Sequence, residues 1–181
     1  TALALRLDYY SLEERLEVLA LAAHNTIWIV RHLDRLRPIA PGDLAPLFAL
    51  PAIGAGGAPG AAVALEDHRG EVVLIDFWAT WCDPCRKAMP VLRRLEERFA
   101  GRGVAVLSID NDDPAVARRL LDEAGLEATL LYDDGSVADR YHVDAIPHLV
   151  IVDRLGVVRM VSRGRPDEEA LAAAITRALG P

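Results

Sequence analysis

The chain has 181 residues and a formal net charge of −7, which allows one domain of ordinary size with an appendage around a packed core. The negative charge is spread along the sequence, which argues against nucleic acid as a partner. No run approaches the ~20 apolar residues of a membrane-spanning helix, and the longest charge-free stretch near the start, Val18 to Val30, contains His24 and Asn25.

Ser11 followed by Glu14 resembles a capping box. Leu12, Leu16, Leu19, Ala23, Ile27, Val30 and Leu33 then recur at spacings of three and four, predicting one face of a helix that ends before Pro38. Glu13, Glu14 and Glu17 near its start and Arg31, Arg35 and Arg37 near its end suit the helix dipole. Trp28 and Ile29 widen the apolar surface beyond a coiled-coil seam. The expectation is therefore burial against the chain's own domain or a twin subunit, an oligomer through this helix, rather than a free stalk from a membrane. The sequence opens on Thr1 without methionine, and a membrane anchor upstream is compatible with it.

Pro38 to Gly60 is rich in Pro, Gly and Ala and reads as a linker, with Leu47 to Leu50 as an anchoring contact. The division expected is a helical extension over residues 1–40 and a second domain over residues 41–181. Within the latter, strands are predicted at 62–65 and 72–78, then a helix from about Pro84 to Phe99 closed by Gly101 and Gly103. A strand at 104–109 precedes Asp113-Pro114, an N-cap and first-turn proline for a helix to about Ala124. A strand at 129–132, a brief helix near 137–141, a hairpin of 148–152 and 157–162 and a helix from Asp167 to Leu179 complete the order. Such alternation makes an α/β fold with a mixed sheet covered on both faces.

Both cysteines of the chain, Cys82 and Cys85, stand in Trp81-Cys82-Asp83-Pro84-Cys85, where the apolar run Val72 to Trp78 feeds a helix. Two intervening residues on an incipient helical turn let the sulfurs close a small disulfide ring reversibly. Structural zinc needs four ligands, and neither a second Cys pair nor a spaced His pair is present. Asp83 and Pro84 argue for an exposed turn over two inert packed thiols. With no further cysteine, the compartment cannot be read from cysteine usage.

Phe77-Trp78-Ala79-Thr80-Trp81-Cys82-Asp83-Pro84-Cys85-Arg86, with Pro90 and Ile146-Pro147, resembles the thioredoxin superfamily. More narrowly it resembles the TlpA/ResA group of exported, often membrane-anchored bacterial thiol-disulfide oxidoreductases. The likeness runs from about Ala45 to Leu179 and leaves the first 40 residues outside. It implies a thioredoxin-like fold, a periplasmic or otherwise extracytoplasmic place, client proteins bearing disulfides and a membrane thiol relay as electron donor. Apocytochrome c haem-binding cysteines and copper-site thiols are the clients it implies, and it calls for no cofactor.

Cys82 at a helix N-terminus is the expected nucleophile, since unpaired N–H groups and the helix dipole favour thiolate. Asp83 opposes that, with no His or Lys between the cysteines to offset it, so a reducing couple is expected. Cys85, one turn further in, should resolve the mixed disulfide, with Asp76 as the general base for its proton if burial raises its pKa towards neutrality. Asp76 stands where the subgroup often has Asn and thioredoxin a buried Asp. The resemblance implies a cis Pro147 that turns the Ile146 backbone towards a client strand. Trp81 and Pro84 frame this substrate edge without chemistry of their own. His148 raises a competing function, Cu(I) delivery through Cys82, Cys85 and His148, since soft sulfur ligands suit that ion. A peroxide-reducing enzyme fits poorly, because Cys85 would be surplus.

Overall fold

The computed structural model describes residues 38–180, together with Ala23 alone. The helix expected over residues 11–37 lies otherwise outside the described residues. Seven strands, β1 (Ala49–Ile53), β2 (Pro59–Ala64), β3 (Val72–Phe77), β4 (Val104–Asp110), β5 (Thr129–Tyr132), β6 (His148–Val152) and β7 (Val158–Arg163), form one sheet in the order β2-β1-β5-β4-β3-β6-β7. Four helices accompany them among the described residues: α1 (Asp83–Phe99), α2 (Pro114–Ala124), α3 (Ser136–Arg140) and α4 (Glu168–Leu179). β3, β4 and β5 run parallel, while β6 is antiparallel to β3 and to β7, and β1 is antiparallel to β5.

Every residue of β3 is buried, as its unbroken Val-Val-Leu-Ile run demands of a central strand. Successive side chains turn to opposite faces. Val73, Ile75 and Phe77 join Phe48, Leu65, Val137 and Tyr141 on one side. Val72 and Leu74 join Met89, Leu92, Leu95 and Phe99 of α1 and Leu171 and Ile175 of α4 on the other. Each such aliphatic or aromatic side chain contributes about 1.5–3 kcal/mol by leaving water, so this layer fixes α1 over β3. The N-terminus of α1 is thereby held above the carboxyl end of the strand.

α2 begins where the sequence placed it, with Asp113 Oδ1 accepting from the N–H groups of Ala115 (2.9 Å) and Val116 (3.2 Å). It stops at Gly125, whose φ of 67° is the left-handed value glycine adopts without strain.

The stretch read as a linker is more ordered than that. It contains β1 and the start of β2, joined through a 3-10 turn at Ala55–Gly57. Residues 42–45 run beside the β6–β7 hairpin, Gly42 N–H donating to the Val158 carbonyl (2.8 Å) and Ala45 N–H to that of Gly156 (2.9 Å). Ala-Leu-Pro-Ala-Ile lacks the β-branched alternation that marks a strand. Pro51 cannot donate to a ladder, and the register slips between Pro51 and Ile53.

Candidate active site

From Phe77 the chain crosses the end of the sheet, Trp78 N–H donating to the Ile109 carbonyl (3.1 Å) and Cys82 N–H to that of Ala79 (3.0 Å). Thr80 is tied to the loop after β4, its N–H and Oγ1 both donating to Asp112 Oδ2 (2.9 and 2.8 Å). α1 then starts with Cys82 as its N-cap, and Pro84 occupies the first turn, where a missing N–H costs nothing. Cys82 and Cys85 are joined in a disulfide, their Cα atoms 5.3 Å apart.

Cys82 Sγ accepts a hydrogen bond from Cys85 N–H (3.2 Å), one of the donors a helix leaves unpaired at its N-terminus. A thiolate at that atom would meet the same N–H and the positive end of the dipole. The turn itself is exposed, as Asp83 and Pro84 suggested, but the sulfur-bearing residues are not: Cys82 is 4% and Cys85 3% accessible. In the closed ring both cysteines belong to the α1–β3 core layer.

Asp83 does have an offset, one turn along instead of between the cysteines. Lys87 Nζ lies 2.7 Å and Arg86 3.5 Å from its carboxylate. The Lys87 hydrogen bond and charge, helped by Arg86, hold its pKa below the usual value. The spacings of three and four that make these pairs are legible in the sequence.

Asp76, on β3 beneath α1, is 3% accessible. Burial, with a smaller push from the charge of Asp110, raises its pKa to about 7. It lies opposite Ser108 of parallel β4, and Asp110, two residues on, shares that face. Asp110 is also buried, its pKa raised by burial to about 6 against the Asp112 N–H that partly offsets it. Its Oδ1 accepts from Asp112 N–H (2.6 Å), while its Oδ2 is buried without a partner among the described residues. Asp110 was missed in the sequence: only the β3–β4 register brings it into phase with Asp76.

The Ile146–Pro147 peptide bond is cis. Pro147 is buried and its carbonyl accepts from Gly164 N–H (2.8 Å), whereas no backbone hydrogen bond engages Ile146 among the described residues. Ile146 and Trp81, the latter 73% exposed, flank a cleft of about 550 Å³ that also includes Phe77, Trp78 and Asp110. Trp81, Pro84, Ile146 and Pro147, expected from the sequence at the substrate edge, lie around the end of the sheet that carries the cysteines.

His148 does not join them. It pairs in register with Phe77 and stands edge-on to that ring at 5.9 Å, on the face opposite Asp76. Burial, aided by the Arg163 charge, lowers its pKa to about 4, and both ring nitrogens lack partners among the described residues. No group of three or more His, Cys, Asp or Glu side chains is placed to hold a metal ion among those residues.

Residues 41–161 match the AhpC/TSA family. The chain belongs to that family. It is 29% identical over 133 residues to the thiol-disulfide oxidoreductase ResA of Geobacillus kaustophilus, covering 72% of this chain and 74% of that one. To the thioredoxin-like protein YneN of Bacillus subtilis it is 31% identical over 130 residues, 70% of this chain and 73% of the relative. The crystal structure of a putative thiol:disulfide interchange protein DsbE from Chlorobium tepidum superposes with a TM-score of 0.70 at 34% identity, over 78% of this chain and 99% of that one. The resemblance read from Trp81 to Cys85 therefore holds. The fold is thioredoxin-like, and the chain is a thiol-disulfide oxidoreductase.

Proposed function

We propose that the chain reduces disulfides of client proteins outside the cytoplasm, with Cys82 as nucleophile, Cys85 as resolving thiol and Asp76 as base. The observation that carries this reading is the placement of Asp76: a carboxyl group buried under α1 with a pKa of about 7 can take a proton at neutral pH. In the reduced enzyme the Cys82 thiolate attacks one sulfur of the client disulfide, and the other leaves as a thiolate. Cys85 gives its proton to Asp76 and attacks Cys82 Sγ, which releases the second client thiolate. Two electrons have then passed to the client, and the enzyme is left in the closed Cys82–Cys85 form described above. A dithiol donor, in this reading a membrane thiol relay, restores it.

The free backbone of Ile146 beside Trp81 supports strand-like docking of an extended client segment. The extracytoplasmic setting, and clients such as apocytochrome c or copper-site thiols, follow from likeness to the exported TlpA/ResA group. The test is a Cys85→Ser variant exposed to an extract of its own cell envelope. Mixed disulfides through Cys82 should accumulate and name the client. A variant that traps nothing would remove the resolving role, and disulfide turnover that survives Cys82→Ser would remove the nucleophile.

A further inference from the structure

The cleft beside the disulfide has an uneven chemistry. Phe77, Trp78, Trp81, Ile109, Val143 and Ile146 give it apolar walls, while Asp110 and Asp133 supply carboxylates, and no Lys or Arg lines it. Asp133 is committed locally, accepting from the N–H groups of Val137 (3.1 Å) and Ala138 (2.9 Å). Asp110 is not. It is 3% accessible, and its Oδ2 has no donor among the described residues. A buried acceptor left open is costly unless a partner arrives. Asp112 and Asp113 follow closely in the chain, so the surroundings repel an anion.

An aliphatic client side chain would suit the walls and leave Asp110 Oδ2 unpaired. A neutral amide would pair with it and gain nothing from the charge. A cation on a long apolar stem satisfies both, since the stem covers the walls, the head meets the carboxylate, and an indole face at the rim favours positive charge. We propose that this cleft receives a lysine or arginine side chain flanking the reactive cysteine of the client, its cation meeting Asp110 and its stem lying along Trp81 and Ile146. The inference rests on the reductase reading above and adds the class of client: proteins whose disulfide lies in a basic segment.

The test uses the reduced protein and symmetrical disulfide dimers of a short single-cysteine peptide, with Lys, norleucine or Glu beside the cysteine, and glutathione disulfide as a reference. The Lys peptide should be reduced with a kcat/KM about tenfold above the norleucine one, equivalent to about 1.4 kcal/mol, and the Glu peptide should be slowest. The Lys-to-norleucine ratio should fall to near one in Asp110→Asn and shrink in Trp81→Ala. A ratio cancels any general loss of rate in either variant, and Trp81, being exposed, can be removed without opening the core. Equal rates for Lys and norleucine in the parent, or a ratio that persists in both variants, would overturn the proposal. Reduction of glutathione disulfide with no peptide preference would overturn this inference alone. Reduction of none of the substrates would overturn the reductase reading together with it.

Discussion

Replacing Asp76 by Asn keeps the shape of the side chain and removes its capacity to take a proton. If Asp76 serves Cys85, the first attack by Cys82 should proceed at close to the parent rate. Release of the client should slow by roughly a hundredfold, the lower end of what a positioned general base contributes. Acid quenching of single turnovers, with the mixed disulfide counted at each time, separates the two steps, and equal slowing of both would refute the assignment. The candidacy of Asp76 was legible because a carboxylate inside Val-Val-Leu-Ile-Asp-Phe-Trp has nowhere to point but the interior. Asp110 was not, because Leu-Ser-Ile-Asp reads as a strand ending in solvent until the parallel register aligns it. His148 posed the reverse problem. It follows Pro147, the residue expected to lie beside Cys82, which suggested nearness to the thiols in space, and a one-residue alternation put it on the other face.

Helices and hairpins with strong local signals lie close to where the sequence put them, since capping and apolar periodicity are carried within a few residues. The β6–β7 connection is an instance. Asp153 is buried, and its Oδ1 accepts from the N–H groups of Leu155 and Val157 (both 2.9 Å), while Arg159 Nε donates to its Oδ2 (2.7 Å). Burial pushes its pKa up, but the Val157, Arg159 and Leu155 contacts outweigh it and the net shift is downward. Replacement by Ala should therefore cost on the order of 2 kcal/mol from the orphaned backbone donors and the lost charge contact, read as a shift in the urea midpoint at unchanged slope. A midpoint within error of the parent would mean that water replaces the carboxylate freely. In the core, Leu92→Ala should cost about 2–5 kcal/mol, as for other fully buried leucines. β1 escaped the sequence because its signal is long-range: a strand made by Ala, Leu and Pro is ordered by β2 and β5, neither of which its own residues announce.

For the molecule as a whole, three buried titrating groups among the described residues, Asp76, Asp110 and His148, act on the dependence of stability on pH below neutrality. Asp76 and Asp110 have folded pKa values of about 7 and about 6 against an ordinary 3.8, so the folded state holds protons that the unfolded state has lost. Their protonated forms stabilise fully below the unfolded value, and that contribution is lost as pH rises through the folded ones. His148 has the opposite sign, since its folded pKa of about 4 lies below an ordinary 6.5, and its contribution is lost as pH falls through that window. Between roughly pH 4.5 and 6 these three groups together bind a net one proton more in the folded than in the unfolded state, and through them the oxidised protein should lose about 1.4 kcal/mol of stability per unit rise in pH. Asp76→Asn should flatten this limb by removing one of the two acids. His148→Leu should steepen it to about 2.7 kcal/mol per unit by removing the group that opposes them. Urea unfolding of the three proteins across that range checks both signs together, and parallel curves for all three would mean that neither Asp76 nor His148 changes its protonation on folding.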